Sequence, residues 1–439
     1  MIRSYSMLLF SVTAVFAQQP SLDDLVSERA LAKFQSVCEP EGMALWGKPL
    51  CGAVAIVNPA THWTVASQQD PDRKFEKRGA VFVGVLPKGM EVANTAIDWG
   101  GEKWATIRSP LPADPYSRLA LVTHEAFHRV QPSLGLSSSD QREAHLDTET
   151  GRLWLRMELR ALAQALRAEN AAETRQAIED ALLFRAQRYA LHTGAREREA
   201  ALERQEGLAE YTGVAVGLKE TGEWIERVAR RVESFEDSDA YARSFAYVTG
   251  PAYGLLLDRV AGPAWHMRVR EGATLESQLI AAVHFHPPND LAHAAELRAA
   301  RYGFRAVAAA ERERESRHQA LLDSLTKEFV DGPTMTIPPS GDLYRMFNPN
   351  ELVPFGAQGT YYPTGTFKGS WGKLQVETVG AVVSSDYQSV RVVAPADPRA
   401  RPLQGPGWTL ELTPGWTLRP VAGHAGSFEV TNGGSGGRQ

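Results

Sequence analysis

Hydrophobic and polar positions fall into three regimes along the chain. Residues 52–57, 63–66, 79–85 and 103–108 are short runs rich in Val, Ile, Thr and aromatic side chains, separated by Asn-Pro, Asp-Pro and Gly-Gly breaks. Runs of that kind bounded by turn formers read as strands, so the part from 18 to 110 is predicted to be β-rich. From 111 to 330 the spacing becomes helical. Leu153, Met157, Ala161 and Ala165 fall on one face, and Leu255, Leu256 and Val260 on another. Inside this helical stretch residues 311–317 alternate in charge sign, the pattern of a solvated helix surface. Pro and Gly in 331–341 break the helical spacing. Beyond them 408–412 and 416–419 alternate as successive strands around Thr413-Pro-Gly, which predicts a small antiparallel β-domain over 331–439 with a flexible tail. Its aromatic residues Tyr361, Tyr362, Trp371, Trp408 and Trp416 are expected to fill a core rather than to form a ligand platform. The fold class predicted is α+β.

Composition narrows the classes of function. With 439 residues, 43% of them hydrophobic, the chain has room for one large core or two to three domains. A net charge of -5 leaves no basic excess for a phosphate backbone, so a nucleic-acid partner is not expected. The body contains no apolar run near the roughly 20 residues a bilayer span requires. Residues 1–17 carry Arg3, an apolar stretch from Met7 to Phe16 and a small residue at Ala17, the order of a secretory signal peptide. Export to the periplasm or the outside is therefore expected, without stable membrane insertion afterwards. The only two cysteines, Cys38 and Cys51, would then pair.

One motif carries chemistry. Val122-Thr-His124-Glu125-Ala-Phe-His128-Arg is H-E-x-x-H, preceded by Asp114-Pro115 as cap and first helical residue. On a helix His124 and His128 lie one turn apart on one face and can ligate one Zn²⁺, while Glu125 can take a proton from a water at the metal. A catalytic zinc site needs a third protein ligand. Downstream, Glu206-Gly207-Leu-Ala-Glu210-Tyr211 places two carboxylates on one helix face, one available to the metal and the other to hold a histidine ring. Gly207 is expected to let this helix approach the first closely.

These residues resemble the gluzincin metallopeptidases, the group that includes thermolysin and aminopeptidase N. The resemblance implies a zincin-like region of sheet and helices, Glu206 as third ligand and Glu210 behind a histidine. Asp147 and Glu149 are the rival ligands, at a shorter spacing but outside an E-G-x-A context. Tyr247-Val-Thr-Gly250 resembles the Tyr-x-x-Gly segment of the aminopeptidase branch, which implies that Tyr247 polarises the scissile carbonyl, with Tyr253 in reserve. The Gly-Ala-Met-Glu-Asn segment of aminopeptidases is missing, so the resemblance implies no amino-terminal specificity. Residues 98–108 would supply either a strand whose free edge receives an extended peptide or an ordinary hairpin. His284-Phe-His286, before Pro287-Pro288, reads as a turn. The expected activity is zinc-dependent hydrolysis of a peptide or protein substrate. The rivals are a zinc amidase acting on cell-wall or modified peptides, and an exported binding protein with a structural metal.

Overall fold

The computed structural model describes residues 21–90, 92–138, 143–238, 241–338, 343–348 and 351–433. Residues 1–17 and nearly all of the Gly-rich tail lie outside them. Helix outweighs strand, ~51% against ~19%, and the strands sit in separate layers at the two ends of the chain, an α+β arrangement.

The described chain opens not with a strand but with a helix, α1 (Leu22–Trp46). Ser21 and Asp24 form a capping box at its start, Gly47 closes it in the left-handed region, and Ala30, Leu31, Phe34, Val37 and Cys38 form its buried face. The β-rich part predicted from residue 18 thus begins later, at β1 (Val54–Val57), β2 (Trp63–Ala66), β3 (Glu76–Arg78), β4 (Val81–Val85), β5 (Thr95–Trp99) and β6 (Glu102–Arg108). Their order in one sheet is β3-β4-β2-β1-β6-β5, with β1 and β6 parallel and the other pairs antiparallel. Gly100 and Gly101, both at positive φ, turn β5 into β6, and β5 is left as an outer strand. Cys38 and Cys51 form a disulfide that ties α1 to the segment entering β1.

The helical body follows as α2 (Pro115–Val130), α3 (Glu149–Arg167), α4 (Ala171–Leu191), α5 (Ala195–Leu202), α6 (Leu208–Thr221), α7 (Glu226–Ser234), α8 (Ala246–Ala261), α9 (Ala264–Arg270), α10 (Leu275–Val283), α11 (Leu291–Ala299) and α12 (Phe304–Thr326). Helix α2 packs against β5 and β6 on one side and α1 and α6 on the other, so the motif helix joins the sheet to the helical body. The charge-alternating stretch is not wholly solvated. Glu311, on α12, is buried and pairs with Arg152 and Arg156 of α3.

From Thr334 onward two sheets of seven and five strands enclose a core of their own, which includes Trp371, Trp408, Tyr362 and Phe367. Tyr361 is buried too, against Phe329 and Phe355, and Trp416 packs on the core edge, so these aromatics form no exposed platform. Pairing is antiparallel except between Thr334–Ile337 and Phe428–Asn432. Trp408–Leu412 and Trp416–Pro420 do not pair with each other; the turn between them carries the chain from one sheet to the other.

Candidate metal centre

Asp114 caps α2 by accepting the Ser117 N–H at 2.9 Å, with Pro115 at the first helical position, as the local sequence predicts. His124, Glu125 and His128 leave the buried side of this helix into a cavity of about 780 Å³. The stretch 98–108 forms a hairpin arm and not an edge strand: β6 is paired on both sides, and the outer strand is β5, at whose start residues 94–96 line the same cavity.

Helix α6 brings the carboxylates. A Cβ at Gly213 would lie 2.4 Å from the Ala120 carbonyl oxygen, and one at Gly217 3.0 Å from the Tyr116 ring, so these two glycines allow α6 to lie against α2. Gly207, expected to serve that purpose, instead meets Gly250 of α8, where a Cβ on Gly250 would come 2.3 Å from the Gly207 Cα. Just before α6 the helix widens into a π-turn, Glu203–Gly207, closed by the Leu208 N–H on the Glu203 carbonyl. Single π-turns inside helices recur at functional sites. This one presents Glu206.

The three predicted ligands meet. Nε2 of His124 and Nε2 of His128 are 3.0 Å apart, and the Glu206 Oε2 lies 3.6 Å from the first and 3.3 Å from the second. Among the described residues they form the one group of three or more His, Cys, Asp or Glu side chains whose ligand atoms come close enough for a metal. Zinc donors sit about 2.0–2.1 Å from the ion, which in a tetrahedron puts them about 3.3 Å from one another. The observed triangle has that size.

Outer contacts hold each ring by its Nδ1. The Nδ1–H of His124 donates to the Glu210 Oε2 at 2.7 Å, and the other Glu210 oxygen pairs with Arg231. Nδ1 of His128 lies 2.9 Å from the Gln131 Oε1, while the Gln131 Nε2 donates to the carbonyls of Arg204 and Gln205 at 2.8 and 2.9 Å. A side chain whose nitrogen is bound to two carbonyls must offer its oxygen to the ring, so the His128 proton is on Nδ1. Residues Gln131 and Arg231 were not singled out from sequence; the signal for Gln131 was its place three positions beyond the second histidine, in the next turn of the chain.

The charges respond to one another. Burial opposes a charge on His124, but the nearby Glu206 carboxylate and the hydrogen-bonded Glu210 outweigh it and raise the ring's pKa to about 10 without a metal. Against the same burial, His124 and Arg231 bring Glu210 down to about 2, and the histidines with Tyr247 keep Glu206 well below the carboxylate range. The site thus retains a cation between two anions, an environment suited to a metal whose binding releases a proton. Burial raises the pKa of Glu125, and its Oε2 is buried with no protein partner.

Tyr247 reaches the same cluster. Its hydroxyl donates to the Glu206 Oε2 at 2.7 Å, and its ring stacks on His124 at 5.7 Å. Tyr253 does not, since its hydroxyl is buried on Glu158 and Arg185 lies over its ring. Asp147 and Glu149 are outside the triad, and Asp147 lines a different cavity of about 940 Å³ between α3, α12 and the C-terminal strands. That cavity is larger, but its buried Arg152 and Glu311 are paired with each other and, among the described residues, it offers no set of three clustered His, Cys, Asp or Glu ligands. His284 ends α10 in the left-handed region and its carbonyl faces His286 Nδ1, a turn away from the cluster. Compared with protein-family models, curated proteins and solved structures, the chain matches none.

Proposed function

We propose that the chain is a zinc-dependent peptide hydrolase of gluzincin type, with His124, His128 and Glu206 holding the metal. The observation that carries this reading is the donor triangle of zinc size with a buried, unpartnered Glu125 carboxylate oxygen on the same helix turn. A structural metal has no use for that carboxylate. Zinc bound there supplies Lewis acidity, which makes a water a stronger acid and a carbonyl a better electrophile. Glu125 accepts the proton of the attacking water at its free Oε2 and returns it to the nitrogen of the leaving amine. Tyr247 remains a proton-bearing donor, because burial and the neighbouring Glu206 carboxylate push its pKa well above the ordinary phenol value. Moving from Glu206 to the substrate, its hydroxyl donates to the oxygen that gains charge. The free edge of β5 binds an extended substrate by main-chain hydrogen bonds. The signal-like amino terminus and the disulfide support work outside the cytoplasm.

The test is digestion of an unbiased peptide library by the zinc-loaded chain and by Glu125→Gln. The wild-type chain is expected to cut peptide bonds, and the variant to lose orders of magnitude of rate with zinc content and melting temperature close to wild type. An equally active variant would sink the mechanism.

A further inference from the structure

We infer that Gln131 is a positioning residue that couples the two halves of the metal centre, setting the tautomer of His128 and fixing the π-turn that presents Glu206. The inference rests on the metal-site reading for its consequence, but its structural content does not depend on activity.

The His128 and Glu206 donors come from separate segments, and nothing in the backbone of α2 dictates where a turn more than seventy residues later will stand. Gln131 spans that gap with one side chain. It follows α2 directly, at the start of the short helix Gln131–Leu134, and is 1% exposed. Its Oε1 meets the His128 Nδ1, and its Nε2 donates to the carbonyls of Arg204 and Gln205, the two residues before Glu206 in the π-turn; Nε2 also reaches the Leu136 carbonyl at 3.3 Å. The amide cannot be turned over, since its oxygen would then face carbonyl oxygens and its nitrogen would compete with a ring N–H. The orientation set by the π-turn therefore calls for a proton on His128 Nδ1, and the ring turns its Nε2 toward His124 and Glu206. The first residue of the turn is pinned independently: Glu203 accepts two hydrogen bonds from buried Arg185 and one from Thr249. The turn is thus held by two sets of contacts, and of these only Gln131 also touches a histidine ligand. Outer partners of metal-bound histidines commonly govern affinity by 10–100-fold.

Two variants separate coupling from simple packing. Gln131→Met keeps length and loses every hydrogen bond; Gln131→Glu keeps an acceptor for His128 but replaces the donor to Arg204 and Gln205 with oxygen. The first measurement is the ¹⁵N pattern of the His128 ring in the metal-free, full-length chain. Wild type is expected to show a hydrogen-bonded proton on Nδ1, and Gln131→Met a population of rings without it. The second is zinc affinity by chelator competition, with expected losses of about 10–100-fold in both variants. A His128 Nδ1 without a proton in the wild type would overturn the inference, as would wild-type zinc affinity in both variants or a loss of affinity in Gln131→Met with the Nδ1 proton unchanged. If Gln131→Met does not fold, the wild-type ring pattern and Gln131→Glu still decide. A wild-type chain that binds no zinc defeats the proposed function, while the ring pattern continues to test the coupling.

Discussion

Single side chains in this protein are held by buried charge as much as by packing, and Glu143 shows the cost. Its carboxylate is buried between His145, Arg198 and Glu199, with one oxygen unpartnered. Burial first, and the Glu199 charge second, raise its pKa to about 7, against a weaker opposing pull from Arg198. An acid whose folded pKa lies above the unfolded value holds more protons when folded, so its contribution to stability is full below about pH 4.5 and is lost as pH rises through about 7. Glu143→Gln mimics the protonated form. Thermal melting is expected to show little change at pH 5 and a higher Tm than wild type at pH 8; an equal loss at both pH values would contradict the account. Legibility at this scale followed chemistry. His124, Glu125 and His128 could be read because their spacing alone places them together, and Glu206 because of the residues that follow it. Gln131 and Arg231 could not, since their roles arise from contacts with segments remote in sequence.

Among elements, the junction of the π-turn with α8 bears on the placing of Glu206. Gly207 and Gly250 face each other there, and a methyl on Gly250 would meet Gly207 backbone atoms at 2.3 to 2.6 Å, which no rotamer change can relieve. Gly250→Ala is therefore expected to lower stability by about 1–3 kcal/mol in denaturant unfolding, the range for overpacked interiors. Because the strained partner is the turn carrying Glu206, zinc affinity should fall as well. Unchanged stability and affinity would show that the two backbones have room to separate. The same junction marks a boundary of sequence reading. Helix α2 was legible from its cap, its Pro and its apolar period, all of which are local. The π-turn has no local signature, and the role expected of Gly207 belongs to Gly213 and Gly217, because which neighbour a glycine admits is a tertiary property. Helix α1 had a helical period at Ala30, Leu31, Phe34, Val37 and Cys38, with Pro40 inside it working against that reading.

For the whole molecule, the sheet, the motif helix and the helical body share one core, whereas the C-terminal strands enclose another. The disulfide lies in the first, linking α1 to the approach to β1, where Arg129 of α2 also bonds the Leu50 and Cys51 carbonyls. Loop closure of this length contributes roughly 3 kcal/mol, so reduction should lower the unfolding midpoint of the sheet and motif helix and leave a separate C-terminal transition in place. A loss confined to the C-terminal strands would contradict this division. Regular alternation and helical period made the three regimes visible in advance. Hidden in sequence were the pairing of Glu311 with α3 and the passage of the chain between two sheets after Trp408–Leu412, both set by long-range packing. The central claim is that the metal stands on His124, His128 and Glu206, and the most direct measurement is zinc bound per chain, by elemental analysis, in wild type, Glu206→Ala and Asp147→Ala. The account predicts about one zinc in wild type and Asp147→Ala and almost none in Glu206→Ala. Zinc retained by Glu206→Ala and lost from Asp147→Ala would contradict it.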